Sequence, residues 1–233
     1  SGGEEERPRL VVSAAASLKT ALTSCTANFP GAQVRLSFAG SDELAAQIRR
    51  GVRPDLFAAA NTKLPESLAR EGLVGPPVPF ATNQLVLAVP AQGGSVRSLE
   101  DLERPGVRLA VGSPSVPVGD YTRQVLSRLP TARSRRILAN VRTSEPDVKG
   151  VVGKLTQQAV DAGFVYRSDV VASTGRLRAI ALPARLEPTV VYGAAVVTGG
   201  ASPAPARRLL DDMVSGSCAD ALGRDGFGRP PSR

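Results

Sequence analysis

The sequence predicts an α/β protein with largely parallel sheets. Short β-rich runs alternate with helix-patterned segments from end to end, prolines open several helical segments and glycines close them, and two Pro-containing breaks interrupt the alternation. With 233 residues, 42% of them hydrophobic, the chain can bury a core as one large domain or two smaller lobes.

The opening SGGEEERPRL is polar and acidic, which predicts a flexible leader over residues 1–8. RLVVSAAA is the first strand, and SLKTALTSCTANF after it has apolar residues at helical spacing. The alternation repeats with strand AQVRLSFAG, helix SDELAAQIRRG, strand PDLFAAAN and helix TKLPESLAREG. VGPPVPFATNQ, at 74–84, is the first break. Strands NQLVLAVP and VRLAVG come next, then helix GDYTRQVLSRL, a strand-like RILANVR, and a helix over PDVKGVVGKLTQQAVDAG. Strands AGFVYRSD and LRAIALP lead to the second break, LPARLEPTV at 182–190. Strand TVVYGAAVVTG and helices PAPARRLLDDMVSG and SCADALGRDGF close the chain. Two crossings between the same pair of lobes account for both breaks, with about 84–186 forming the inner lobe. No stretch approaches the roughly 20 apolar residues of a membrane helix.

Composition excludes several function classes. The formal charge of +8 invites nucleic acid, but the arginines are scattered, only RSRR at 133–136 is dense, and aromatics make up 4%. A dispersed basic surface is the better reading, with no nucleic-acid partner. The chain has no histidine, which removes Ser–His and Cys–His catalysis and the commonest metal ligand. It has no phosphate-loop lysine motif and no G-x-S-x-G elbow, so nothing marks an enzyme. Cys25 and Cys218 lack metal spacing. They are either separate buried thiols or one disulfide, the latter favoured if the protein is exported.

The chemistry gathers at helix starts. AAAS-LKTAL, SFAGS-DELAAQI and SPSVPVG-DYTRQVL each join a strand to a helix through small residues, and TSEP-DVKGVVGKL is a fourth start. The first N–H groups of a helix have no intrahelical acceptor and sit at the positive end of its dipole, so such starts can bind an anion without arginine. Ser17 and Ser41 stand where N-cap hydroxyls stand, and capping is their ordinary role. Ala14 to Ala16, Ala39 and Gly40 leave room for a ligand to approach the backbone. Asp42, Asp120 and Asp147 lie in first turns, where they complement the dipole. Tyr166 ends a strand, so its ring can pack while its hydroxyl reaches a cleft.

AAASL, SFAGSDELAAQI, PDLFAAAN, RLAVGSPSVPVGDY, DVKGVV, GFVYRSDVVASTG and VVYGAAVV, in this order, resemble the periplasmic molybdate-binding proteins of ABC importers. These are type II solute-binding proteins. The resemblance implies a two-lobe fold, each lobe a mostly parallel sheet flanked by helices, with the ligand cleft between lobes. It places 9–82 with 188–229 in lobe 1 and 83–187 in lobe 2, leaving 230–233 as a tail. Carried over by motif, the oxyanion donors are the hydroxyls of Ser17, Ser41 and Tyr166 and the backbone N–H groups of Val118 and Val148. The chain departs from many relatives in Gly40, where they have serine, in Val118, where alanine is usual, and in a shorter SPSVPVG loop. The implied ligand is molybdate or tungstate, with no cofactor, no metal-cation ligands and no catalytic residues. Another oxyanion such as sulfate, or a small organic anion, is the alternative. The implied partner is a membrane permease, and the protein is expected as a monomer outside the cytoplasm. SGGEEE is similar to the polar stretch just after the lipid-anchor cysteine of Gram-positive relatives. Because Cys25 and Cys218 then fall in the same lobe, their disulfide gains support.

Overall fold

The computed structural model describes residues 6–232. Its strands are β1 (Arg9–Ala15), β2 (Gln33–Ala39), β3 (Leu56–Ala59), β4 (Val78–Asn83), β5 (Leu85–Pro90), β6 (Leu109–Gly112), β7 (Val141–Glu145), β8 (Ala162–Tyr166), β9 (Leu177–Ala181) and β10 (Val190–Val196). Its helices are α1 (Lys19–Thr26), α2 (Ser41–Arg49), α3 (Lys63–Arg70), α4 (Pro117–Ser127), α5 (Thr131–Ala139), α6 (Val148–Thr156), α7 (Arg167–Ala172), α8 (Pro203–Ser215) and α9 (Ser217–Arg224). The described residues form two compact units: 6–81 with Val191–Arg224 and 228–232, and Thr82–Val190 with Asp225–Phe227. Of the expected leader, residues 1–5 lie outside the described residues, and 6–8 precede β1 without regular structure.

The first unit is built on a sheet of order β2-β1-β3-β10-β4. β1 runs parallel to both β2 and β3, while β10 is antiparallel to β3. β1 and β3 are therefore interior strands, which is why LVVSAAA and LFAAA read as near-continuous apolar runs. On one side Leu44, Ala45 and Ile48 of α2 pack with Phe57, Leu68, Val74 and Ala195. Asp55, 3% exposed, accepts hydrogen bonds from the N–H groups of Val11 at 2.8 Å and Ser202 at 2.7 Å. Its carboxylate thereby satisfies two backbone donors that the sheet leaves over. Cys25 of α1 and Cys218 of α9 are joined by a disulfide.

The second unit has a sheet of order β7-β6-β8-β5-β9. β6 is parallel to β7 and β8, and β5 is antiparallel to β8 and β9. Gly163 in β8 is required by close packing, since a Cβ there would stand 2.8 Å from Val151 of α6 and 2.9 Å from the Ala110 carbonyl oxygen.

Four local expectations are corrected. The break at 74–84 contains β4, which lies at the sheet edge, where a proline such as Pro79 is tolerated in a strand. RILANVR is not a strand: its first four residues finish α5, and the strand begins at Val141. Seven residues cannot separate the two periods, and the helix begins right after Pro130. The helix expected over 146–163 stops at Thr156, and Ala162 onward is β8. RSD after Tyr166 is the first turn of α7 rather than a strand end. The dense basic run RSRR lies on α5, where Arg133 and Arg136 pair with Glu103 at 3.0 and 2.7 Å.

Candidate functional site

In the first unit, the register Ala15↔Ala39 sets the C-terminal ends of β1 and β2 side by side, so the turns carrying Ser17 and Ser41 are neighbours. The chain leaves β1 through a short 3-10 turn, Ala16–Leu18, and Ser17 sits inside it, 6% exposed. Ser17 makes no capping hydrogen bond; its Oγ lies 2.7 Å from the Tyr192 hydroxyl, also buried. Ser41 is the first residue of α2, with Gly40 in the N-cap position, and is 1% exposed. Its Oγ accepts from the Ala60 N–H at 3.0 Å. Neither serine is thus the cap that its position suggested. The strand-to-helix turns are short, and the hydroxyls bond away from their own helices, Ser17 to β10 and Ser41 to the residue just after β3. Because Ser41 Oγ already accepts from an amide, its proton is left for a different acceptor. The alanines Ala14, Ala15 and Ala16 are all buried beside this turn.

The second unit gathers its predicted residues at the C-terminal ends of its parallel strands, where ligands of open α/β sheets bind. Val118 is the second residue of α4, after Pro117 at the first. Its side chain is buried while its N–H belongs to the first turn, where no intrahelical acceptor exists. The turn is held tightly: a Cβ on Gly112 would stand 2.6 Å from Val118 Cγ1, and one on Gly119 would overlap the Ser113 carbonyl oxygen. Val148 is the first residue of α6. Asp147 precedes the helix as its N-cap, accepting the Gly150 N–H at 2.9 Å, one step earlier than the first-turn place expected for it. Asp42 and Asp120 do lie in first turns.

Tyr166 ends β8 and is 1% exposed. Its ring meets Tyr121 edge-on, with centroids 6.3 Å apart at 76°. Its N–H donates to Asp169 Oδ2 at 2.9 Å. Asp169 is buried, and Lys149 on α6 approaches its Oδ1 at 3.8 Å. Burial pushes the Asp169 carboxyl up to about 6, against the pull of Lys149 and of the Tyr166 amide. Burial, then Asp120, raises the Tyr121 phenol well above its usual range.

Sequence reasoning missed Tyr192 and Asp169. A polar-tipped tyrosine in the middle of the apolar VVYGAAVV was the available signal for the first. The second had none, since nothing local distinguishes it from a surface aspartate. Among the described residues no group of His, Cys, Asp and Glu could hold a metal ion, and no helix is long and apolar enough to cross a membrane.

Residues 10–228 match the family described as bacterial extracellular solute-binding protein. The molybdate-binding protein ModA of Mycobacterium tuberculosis is 35% identical over 227 residues, 95% of this chain and 85% of that protein. The substrate-binding domain of a putative molybdenum ABC transporter from Clostridium difficile superposes with a TM-score of 0.71 at 26% identity, covering 96% of this chain and 99% of that one. The periplasmic molybdate-binding protein of Azotobacter vinelandii shares the fold, with a TM-score of 0.85 at 23% identity, 96% of this chain and 100% of that one being covered. With matches spanning nearly its whole length, the chain belongs to the bacterial extracellular solute-binding protein family, as a type II member homologous to the ModA proteins.

Proposed function

We infer that this protein captures molybdate, or its close analogue tungstate, outside the cytoplasm and delivers it to the permease of an ABC importer. Full-length similarity to ModA at 35% identity carries the inference. It is a receptor, not an enzyme, and binding the ligand needs no cofactor.

For the site, we propose that the hydroxyls of Ser17, Ser41 and Tyr166 and the backbone N–H groups of Val118 and Val148 donate to the anion. The buried donor geometry of Ser41 supports this, since a hydroxyl that accepts from an amide has its proton to give. A site made only of donors suits a fully deprotonated oxyanion. A protonated phosphate would bring its own hydrogen against a donor and leave both unpaired. Size then separates molybdate and tungstate from the smaller sulfate. We place a lipid tether upstream of this chain in the same proposal, on the resemblance to lipid-anchored relatives; lipid found on the native protein by mass spectrometry supports it, and a lipid-free native protein overturns it.

Calorimetric titration with molybdate, tungstate, sulfate and phosphate tests the function. The expected result is tight binding of the first two and weak or no binding of the others. Equal affinity for sulfate, or no heat with molybdate, would reject it.

A further inference from the structure

We propose that Tyr192 is a positioning residue for the anion: its phenol donates to Ser17 Oγ and so turns the Ser17 proton toward the ligand. This rests on the reading of Ser17 as a ligand donor. The two oxygens are 2.7 Å apart across 175 residues of sequence, and both side chains are buried. One proton occupies that contact. If Ser17 supplied it, Ser17 would face the anion with lone pairs, which repel it. If Tyr192 supplies it, the Ser17 proton is free for the anion. A phenol is also a better hydrogen-bond donor than an aliphatic hydroxyl.

The scaffold holds this arrangement. β10 pairs with β3 at Gly193↔Ala59, and the same register brings Tyr192 beside Ala60. The Ala60 N–H, just past the end of β3, donates to Ser41, and the Tyr192 hydroxyl on β10 lies against Ser17; with Tyr192 as donor, both serines have their acceptor side filled from this end of the sheet. Phe80 meets the Tyr192 ring edge-on, with centroids 6.0 Å apart at 80°, and keeps the hydroxyl from swinging away. A hydroxyl can otherwise accept as readily as donate. Tyr192 removes that freedom from Ser17, which biases the site toward anions that carry no proton.

A double-mutant cycle on the full chain, Ser17→Ala, Tyr192→Phe and both together, tests this by calorimetry with molybdate, with melting curves to verify folding. Tyr192→Phe keeps the ring and is expected to weaken molybdate binding about 3- to 10-fold in the native background. In the Ser17→Ala background the same change is expected to have a much smaller effect, because the proposed influence of Tyr192 on the anion passes through the Ser17 hydroxyl. Native affinity in Tyr192→Phe, or an equal loss in both backgrounds, overturns the proposal. If Ser17→Ala alone binds molybdate normally, the assignment of Ser17 as a donor fails, and the role of Tyr192 falls with it.

Discussion

Ser41 has a hydroxyl that already serves the scaffold, accepting from the Ala60 amide, and in the proposed site it also serves the ligand. Ser41→Ala removes a proposed donor to a charged ligand and also an acceptor of the buried Ala60 amide. Molybdate affinity is expected to fall about 10- to 100-fold, and folding stability by about 1–3 kcal/mol. Calorimetry and denaturant melts read the two losses separately. Asp169 makes a different prediction, one of pH. Burial raises its folded-state pKa to about 6, while Lys149 and the Tyr166 amide pull it down and Asp147 pushes it up. An unfolded aspartate titrates at about 3.9. Below about pH 4 both states are protonated and nothing is lost. As pH rises from there through about 6, the unfolded chain releases its proton first, and stability falls by an amount on the order of 3 kcal/mol. Asp169→Asn keeps an acceptor for the Tyr166 amide but cannot titrate. Urea melts at pH 4.5 and 7.5 should therefore show a smaller pH difference in the variant; parallel behaviour would refute the buried-carboxyl account.

Elements position the proposed donors, and the start of α4 is tightly constrained. Val118 is held where Gly112 and Gly119 let helix and strand end approach closely. Gly119→Ala places a methyl group against the Ser113 carbonyl oxygen, so the helix start must shift. The expected outcome is a loss of stability of about 1–3 kcal/mol and a drop in anion affinity larger than Gly153→Ala produces. Gly153, on α6, has open space where its Cβ would go and serves as the control. Equal behaviour of the two variants in melts and titrations would count against a role for this close approach. The helix starts were legible in the sequence because proline, small residues and acidic first turns are local signals. β4 and the end of α5 were not, because an edge strand with proline resembles a linker and a few apolar residues fit either period. The caps were misjudged for a related reason. A serine before a helix looks alike whether its hydroxyl bonds forward to its own amides or sideways to another strand.

At the scale of the whole molecule, Cys25 and Cys218 tie α1 to α9 across a sequence separation of 193. Opening this bridge in a Cys25→Ser, Cys218→Ser variant should cost about 2–5 kcal/mol of stability. Molybdate affinity should stay near native where the variant is folded, because the bridge touches no proposed donor. Ligand at about 100 times its Kd should restore about 2.7 kcal/mol by mass action, read as a rise in melting temperature. A variant as stable as the native protein would contradict this accounting. The sequence by itself determined the α/β class, the order of nearly all elements, the absence of histidine chemistry and the segments that start helices, since each depends on spacing within a few residues. Only the tertiary structure decided what the key side chains bond to. Ser17 meets Tyr192 across 175 residues and Ser41 meets Ala60 across 19, pairings created by strand order that no local pattern encodes. A hydroxyl's role, cap or anion donor, is set by which of its lone pairs the fold has already filled.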